Sequence, residues 1–114
     1  MPFEPGRILL VTYSFTDRTA AKQRPVIVIS AMEFNRGEDV VVLPLSSRIA
    51  SEDPYGFPIL STESYFPQTR LRQNSTVKWS KPMTISSKVV VRKLGIVPAD
   101  VLEQIRELAR SVLS

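Results

Sequence analysis

The segment Lys22-Gln23-Arg24-Pro25-Val26-Ile27-Val28-Ile29-Ser30 decides the fold class of this chain. Its four consecutive branched apolar residues, Val26 to Ile29, predict a central strand with both faces buried. Arg24-Pro25 is expected to open that strand, because proline is tolerated at a first position that needs no ladder N–H. The preceding residues, from Ser14 to Gln23, are polar without a hydrophobic period, so we predict a long loop there.

Working outward, further short strands are predicted on both sides of this segment. Pro44 indicates a bulge or an edge in one of them, and Phe57 to Leu60 reads as an edge strand. After Gly95, a helical apolar period with Pro98 and Asp100 in its first turn predicts one amphipathic terminal helix. The pattern indicates a mainly β barrel or sandwich with a C-terminal α-helix. The other predicted strands are Arg7–Tyr13, Asp39–Leu45, Thr69–Arg72, Ser75–Trp79 and Lys88–Arg92.

Composition restricts the chemistry that the chain can perform. A length of 114 residues predicts a single domain over residues 1–114. There is no cysteine and no histidine, which excludes disulfides, thiolate zinc sites and Ser-His-Asp catalysis. The usual zinc ligands and the usual general base are therefore missing, and we expect chemistry based on Arg, Lys, Asp, Glu, Ser, Thr or Tyr. Without a signal peptide or an apolar run near the ~20 residues of a membrane span, a cytoplasmic protein with no membrane partner is expected.

The charge is unevenly distributed along the chain. The net charge is +4, and the stretch from Ser64 to Ala99 holds seven of the fifteen cations and no acidic residue. This predicts a positive face and an anionic partner. Cations on the solvated sides of strands explain the pattern equally well.

Several segments, taken in order, resemble the MazF/PemK toxins. They are Gly6–Val11, Lys22–Ser30, Phe34–Arg36, Val40–Ser47, Pro82–Ile85 and the closing helix. The resemblance implies an SH3-like β-barrel toxin of a type II toxin–antitoxin system. Such a toxin acts as a homodimer that cleaves single-stranded RNA at short sequences without a metal, and its cognate antitoxin occludes the RNA channel.

The resemblance also implies roles for individual residues. Arg24 corresponds to the arginine that acts on the scissile phosphate, Ser46 to a Thr or Ser that binds it, and Lys78 to an active-site arginine of some members. These three are the predicted catalytic residues. Ser80 departs from a catalytic aspartate, and Lys81 and Met83 replace the glutamine and arginine of a motif in which Pro82 and Thr84 are retained. The predicted RNA-binding residues are Asp17, Lys22, Gln23, Ser80, Lys81 and Thr84.

Each of these residues also has a structural interpretation. The Arg24 guanidinium suits a phosphate, but without the resemblance its pairing with a carboxylate such as Asp17 is favoured. Ser46 could bind phosphate or close a turn, and Asp17 could be a base or form an Asx-turn. Lys78 could bind phosphate or carry a proton, or be a solvated lysine.

Two aromatic residues are candidates for stacking on unpaired bases. They are Tyr65 and Trp79. Because Trp79 lies two residues from Val77 in a predicted strand, the two share a face, which favours a buried tryptophan.

Three functions remain open from the sequence. The first is a toxin that acts as a metal-independent endoribonuclease, with the 2′-OH attacking the phosphate. The second is a non-catalytic member of the same fold, either a binding module or a CcdB-like topoisomerase poison, suggested by Ser80 and Met83. The third is a general RNA-binding protein, whose affinity would fall steeply with salt.

Overall fold

A computed structural model describes residues 2–14, 21–47 and 53–114 of the chain. Within them lie seven strands, three helices and a short 3₁₀ turn at Ser87–Val89. The strands are β1 Arg7–Ser14, β2 Ala21–Val28, β3 Asp39–Ser46, β4 Gly56–Ile59, β5 Ser75–Lys78, β6 Met83–Ser86 and β7 Val90–Ile96. The helices are α1 Met32–Asn35, α2 Phe66–Thr69 and α3 Ala99–Ser111. The predicted mainly β fold with a C-terminal helix and short additional helices is confirmed.

All strand pairs are antiparallel, in the order β4-β5-β3-β2-β1-β7. β3 is the centre of the sheet: it pairs with β2 along one side and, along the other, first with β6 and then with β5. Pro44 lies between these last two pairings, which end at Val42 and resume at Leu45. Its missing N–H is tolerated there, because neither β6 nor β5 pairs with this residue. The sequence predicted a bulge or an edge at Pro44; the structure instead shows a central strand that changes its partner at this residue. β4 is an edge strand, as predicted.

The central strands are buried on both faces, as the apolar run from Val26 to Ile29 predicted, although β2 ends at Val28 and Ile29 is half-buried. One face carries Ile8, Ile27 and Leu43, which pack with residues of β5 and with the apolar side of α3. The other face carries a second cluster, Leu9, Val11, Val26, Val28, Val40 and Val42. Trp79 belongs to the first cluster and makes an edge contact with the Tyr55 ring at 5.4 Å between centroids. Because Trp79 is buried, it is not available to stack on a base. This agrees with the sequence, which placed Trp79 on the same strand face as the core residue Val77.

Three sequence-based boundaries are corrected. β2 begins at Ala21, inside the predicted loop, because its polar start pairs with the end of β1, for instance Gln23 with Thr12. The predicted strand Thr69–Arg72 is instead the end of α2 and the loop after it: Thr69 Oγ1 donates to the Phe66 carbonyl at 2.7 Å and closes the turn. The last strand is shifted and runs through Gly95 to Ile96. No helix among the described residues is long and apolar enough to span a membrane.

Candidate nucleic-acid interface

A cavity of about 320 Å³ opens where the pairing between β2 and β3 ends. The last pair of that ladder is Val26 with Pro44. Beyond it, the cavity separates Gln23, Arg24 and Pro25 of β2 from Leu45 and Ser47 at the end of β3. The start of β5, the loop before it and the middle of β7 complete the walls. The pairing of these strands therefore fixes the shape of the cavity.

The floor of the cavity is apolar. Its apolar lining residues are buried or half-buried, and they come from four strands and the loop after α2: Leu10, Pro25, Leu45, Leu71 and Leu94. Strand pairing sets their order, because Leu10 in the middle strand is the partner of Pro25 on one side and of Arg92 on the other. The floor continues the first hydrophobic cluster, which Leu71 and Leu94 also contact.

The rim of the cavity is cationic. Four exposed arginines line it, Arg24, Arg70, Arg72 and Arg92, and none of the described lining residues is acidic. Within residues 2–14, 21–47 and 53–114, Arg70, Arg72 and Arg92 take part in no ion pair. Guanidinium groups present a planar fork of donors that matches phosphate oxygens. The rim can therefore bind an anion that carries phosphate groups.

Arg70 reaches the rim from an unusual backbone conformation. It caps the C-terminus of α2 with φ at 60°, the one non-glycine residue with positive φ in the described part of the chain. α2 is held against β7 because Gln68 Nε2 donates to the Ile96 carbonyl at 3.0 Å. Arg70 is thus presented beside Arg92 by a helix fixed to the strand that carries Arg92.

Arg24 and Ser46 lie at the end of the β2–β3 ladder, each two residues beyond the Val26–Pro44 pair. Since side chains alternate along a strand, Arg24 and Ser46 project from the same face of the sheet. Ser46 is also the Cα partner of Thr76 in β5. Ser46 is not itself a lining residue of the cavity; the neighbouring Ser47, on the opposite face, is.

Lys78 forms an ion pair that the sequence did not predict. Its Nζ lies 2.5 Å from Oδ2 of Asp53, and both side chains are half-buried. Oδ1 of the same carboxylate accepts the backbone N–H of Tyr55 at 2.9 Å. The Lys78 hydrogen bond, followed by the Tyr55 N–H, lowers the pKa of Asp53 below its ordinary value. Lys78 therefore holds the chain before β4 against β5, and it lies outside the cavity lining.

The remaining predicted residues are dispersed. Lys22 is exposed on β2 beside the cavity residue Gln23, whereas Ser80 and Lys81 form the turn after β5, where Lys81 N–H donates to the Lys78 carbonyl at 3.2 Å. Thr84 is exposed on β6 opposite Val41. That is five residues along β3 from Ser46, or about 16 Å at the rise of a strand.

Asp17 lies outside the described residues. Tyr65 is half-buried against the first cluster, and burial, followed by Glu63 and Asp100, raises its pKa. In the described ranges, no three His, Cys, Asp or Glu side chains are grouped so as to hold a metal ion.

Sequence reasoning therefore found two of the cavity residues, Gln23 and Arg24, and missed the rest of the rim. The signal for the missing arginines was present, because Arg70, Arg72 and Arg92 are three of the seven cations in the acid-free stretch. The sequence provided no reason, however, to expect that these arginines, and not the lysines of the same stretch, line one cavity. Asp53 carried no signal at all, since its partner is far along the chain.

Comparison with known proteins identifies the family. Residues 4–113 match the family model described as PemK-like, MazF-like toxin of type II toxin–antitoxin system. The chain belongs to this toxin family. Comparison with curated proteins gives no match.

Several solved structures share the fold of this chain. A MazE–MazF complex from Deinococcus radiodurans superposes with a TM-score of 0.78 at 18% identity, covering 99% of this chain and 97% of that one. A structure described as an endoribonuclease in complex with its cognate antitoxin, from a mycobacterial species, gives 0.72 at 16% identity, with 98% and 93% covered. The Mycobacterium tuberculosis toxin MazF-mt6 gives 0.72 at 18%, with 94% and 95% covered. At these identities the likeness concerns the fold.

Proposed function

We propose that this chain is the toxin of a type II toxin–antitoxin pair and acts as a metal-independent endoribonuclease on single-stranded RNA. The observation that carries the proposal is the position of Arg24, in a cavity with a rim of arginines, on the same face of the sheet as Ser46. Membership of the toxin family supports it, as does the similarity to a structure described as an endoribonuclease. A cognate antitoxin and a second copy of the chain are the proposed protein partners, in line with the similar MazE–MazF complexes.

The proposed reaction is an internal transesterification. The ribose 2′-oxygen attacks the adjacent phosphorus and loses its proton, the P–O2′ bond forms, and the P–O5′ bond breaks as the 5′-oxygen gains a proton. The products are a 2′,3′-cyclic phosphate and a free 5′-hydroxyl. Arg24 stabilises the charge that builds up on the phosphoryl oxygens, and the Ser46 hydroxyl donates a further hydrogen bond to them.

The other predicted residues enter the proposal with different roles. Gln23 and Lys22 lie next to Arg24 on β2 and contact the RNA backbone. Lys78 is retained as a residue of the site, but its ion pair with Asp53 makes it a positioning residue that fixes the strand carrying Thr76. Asp17, Ser80, Lys81 and Thr84 remain proposed RNA contacts.

A gel assay with mixed-sequence single-stranded RNA in EDTA tests the proposal. We expect cleavage by the wild-type protein, a loss of about 100-fold or more in Arg24→Ala, and a loss of about tenfold in Ser46→Ala, as for removal of a hydrogen bond to a charged group. Ser61→Ala is the matched control, because it removes an exposed hydroxyl in the turn after β4, outside the cavity lining. Equal background cleavage by the wild type and Arg24→Ala would refute the nuclease.

A non-catalytic RNA-binding toxin is the second candidate. It is favoured by the described cavity lining, in which the charged side chains are all arginines and no carboxylate is present to act as a general base. This candidate predicts RNA binding that falls steeply with salt, without cleavage. The same assay, read together with RNA binding, separates the two.

A further inference from the structure

We infer that the cavity is a subsite for one unpaired nucleotide of the RNA, with Arg70, Arg72 and Arg92 binding its phosphate and the apolar floor receiving its base. The inference rests on the proposed function and deepens it, because it names residues that determine which nucleotide lies next to the scissile phosphate. It concerns three arginines that the catalytic step does not use.

The phosphate half of the subsite follows from charge and geometry. Three exposed guanidinium groups surround one opening, and no described acidic residue neutralises them there. Arg24 lies on the same rim, across β1 from the strand that carries Arg92. An RNA chain whose scissile phosphate contacts Arg24 therefore places a neighbouring phosphate within reach of the other arginines.

The apolar floor of the cavity is the evidence that the subsite also receives a base. An anion site alone has no need of the apolar surface formed by Leu10, Leu45, Leu71 and Leu94 beneath the cations. An unpaired nucleotide combines a flat base with a charged phosphate. The base matches the apolar floor, and the phosphate matches the cationic rim. The volume of about 320 Å³ is near the lower limit for ligand pockets and suits one nucleotide rather than several.

The side-chain amides at the rim supply the means of discrimination. Gln23 and Gln73 both line the cavity, and each amide offers donors and an acceptor to a base edge. Ser75 is already engaged, because its hydroxyl donates to the Gln73 carbonyl at 3.1 Å. This bond fixes the backbone at Gln73.

Backbone strain at Arg70 points in the same direction. A non-glycine residue in the left-handed region is unfavourable, and helices that end in this way usually carry glycine there. We explain the arginine at this position by its guanidinium group, which lies at the rim of the cavity.

The first experiment measures binding of uncleavable 2′-O-methyl RNA of randomised sequence. Arg72→Gln and Arg92→Gln should each raise Kd about tenfold and reduce the slope of log K against log salt by about 0.7. Lys93→Gln is the matched control, since it removes one positive charge from the adjacent position of β7, outside the cavity. If all three variants behave alike, the subsite does not exist.

The second experiment locates the nucleotide. In an oligonucleotide with each phosphate replaced in turn by an uncharged methylphosphonate, one replacement should weaken binding to the wild type but not to Arg92→Gln. Removal of the base at that nucleotide should weaken wild-type binding about fivefold or more. Equal sensitivity at every position in both proteins contradicts a defined subsite.

The outcomes distinguish this inference from the proposed function. Wild-type cleavage with no selective effect of Arg72→Gln or Arg92→Gln overturns the subsite and leaves the nuclease intact. Selective loss of RNA binding without any wild-type cleavage supports the subsite and refutes the nuclease. If Arg92→Gln loses binding of a glutamate-rich peptide but not of RNA, the cavity receives a protein segment and the inference is wrong.

Discussion

Gly95 of β7 lies directly beneath the backbone of Gln68 in α2. A Cβ atom built on Gly95 would be 2.0 Å from the Gln68 carbonyl oxygen and 2.3 Å from the Thr69 carbonyl carbon. Such approaches are impossible without moving backbone, so only glycine allows α2 to rest on the strand. This contact fixes the end of α2, and with it Arg70, beside the arginine of β7.

Gly95→Ala should therefore loosen both the fold and the cavity. We expect a loss of about 1–3 kcal/mol in the free energy of unfolding, as for overpacking, because α2 must move away from β7. Urea denaturation measures it. Gly37→Ala is the control, since its added methyl group meets nothing closer than 3.6 Å. Equal stability of the two variants would show that α2 is not held through Gly95.

Arg70→Gly should separate stability from binding. Glycine adopts positive φ without steric cost, so the variant should be as stable as the wild type or more stable, by up to about 1 kcal/mol, while RNA affinity falls. Arg70→Gln removes the same charge but keeps the strained backbone, and should weaken binding without gaining stability. Thermal unfolding and RNA binding of the pair check this. A gain in stability shared by both variants would contradict the role of the backbone.

The Asp53–Lys78 pair should behave as one structural unit. Replacing either partner leaves the other without its counter-charge, so Asp53→Asn and Lys78→Met should each destabilise the protein, and the double variant should be less destabilised than the two losses added together. A double-mutant cycle in urea measures the coupling. Additive losses would mean that the two side chains stabilise the fold independently.

Glu4 should make stability depend on pH in the acid range. The Arg7 side chain donates to its carboxylate at 2.7 and 3.2 Å, and this hydrogen bonding lowers the pKa of Glu4 from 4.5 to about 2. A carboxyl whose pKa is depressed in the folded state stabilises the fold above pH 4.5 and loses that contribution as pH falls toward 2. Because the pair is partly exposed, about 1 kcal/mol or less is expected.

Urea midpoints from pH 7 to pH 2 give the measurement. Glu4→Gln should be less stable than the wild type at neutral pH, and the difference should vanish near pH 2. A difference that stays constant with pH would exclude the ion pair as its cause.

Local pattern was sufficient for most of the fold. The apolar run from Val26 to Ile29 predicted a central strand, and the helical period after Gly95 predicted α3, because both depend on residues close in sequence. The 69–72 segment failed for the opposite reason. Its alternating polarity suits a strand, but the Thr69 hydroxyl and the packing of Gln68 on β7 make it the end of a helix and a loop.

The sequence by itself determined a mainly β fold with a terminal helix, the absence of cysteine and histidine chemistry, and Arg24 as a cation next to the apolar run of a central strand. Only the tertiary structure decided which cations share a site. Leu10 pairs with both Pro25 and Arg92, which places these two residues on one cavity. The contact of α2 with Gly95 adds Arg70 to the same cavity, whereas Lys78 lies outside it and pairs with Asp53. The physical reason is that strand register and helix packing bring together residues separated by tens of positions, and charge along the chain carries no information about either.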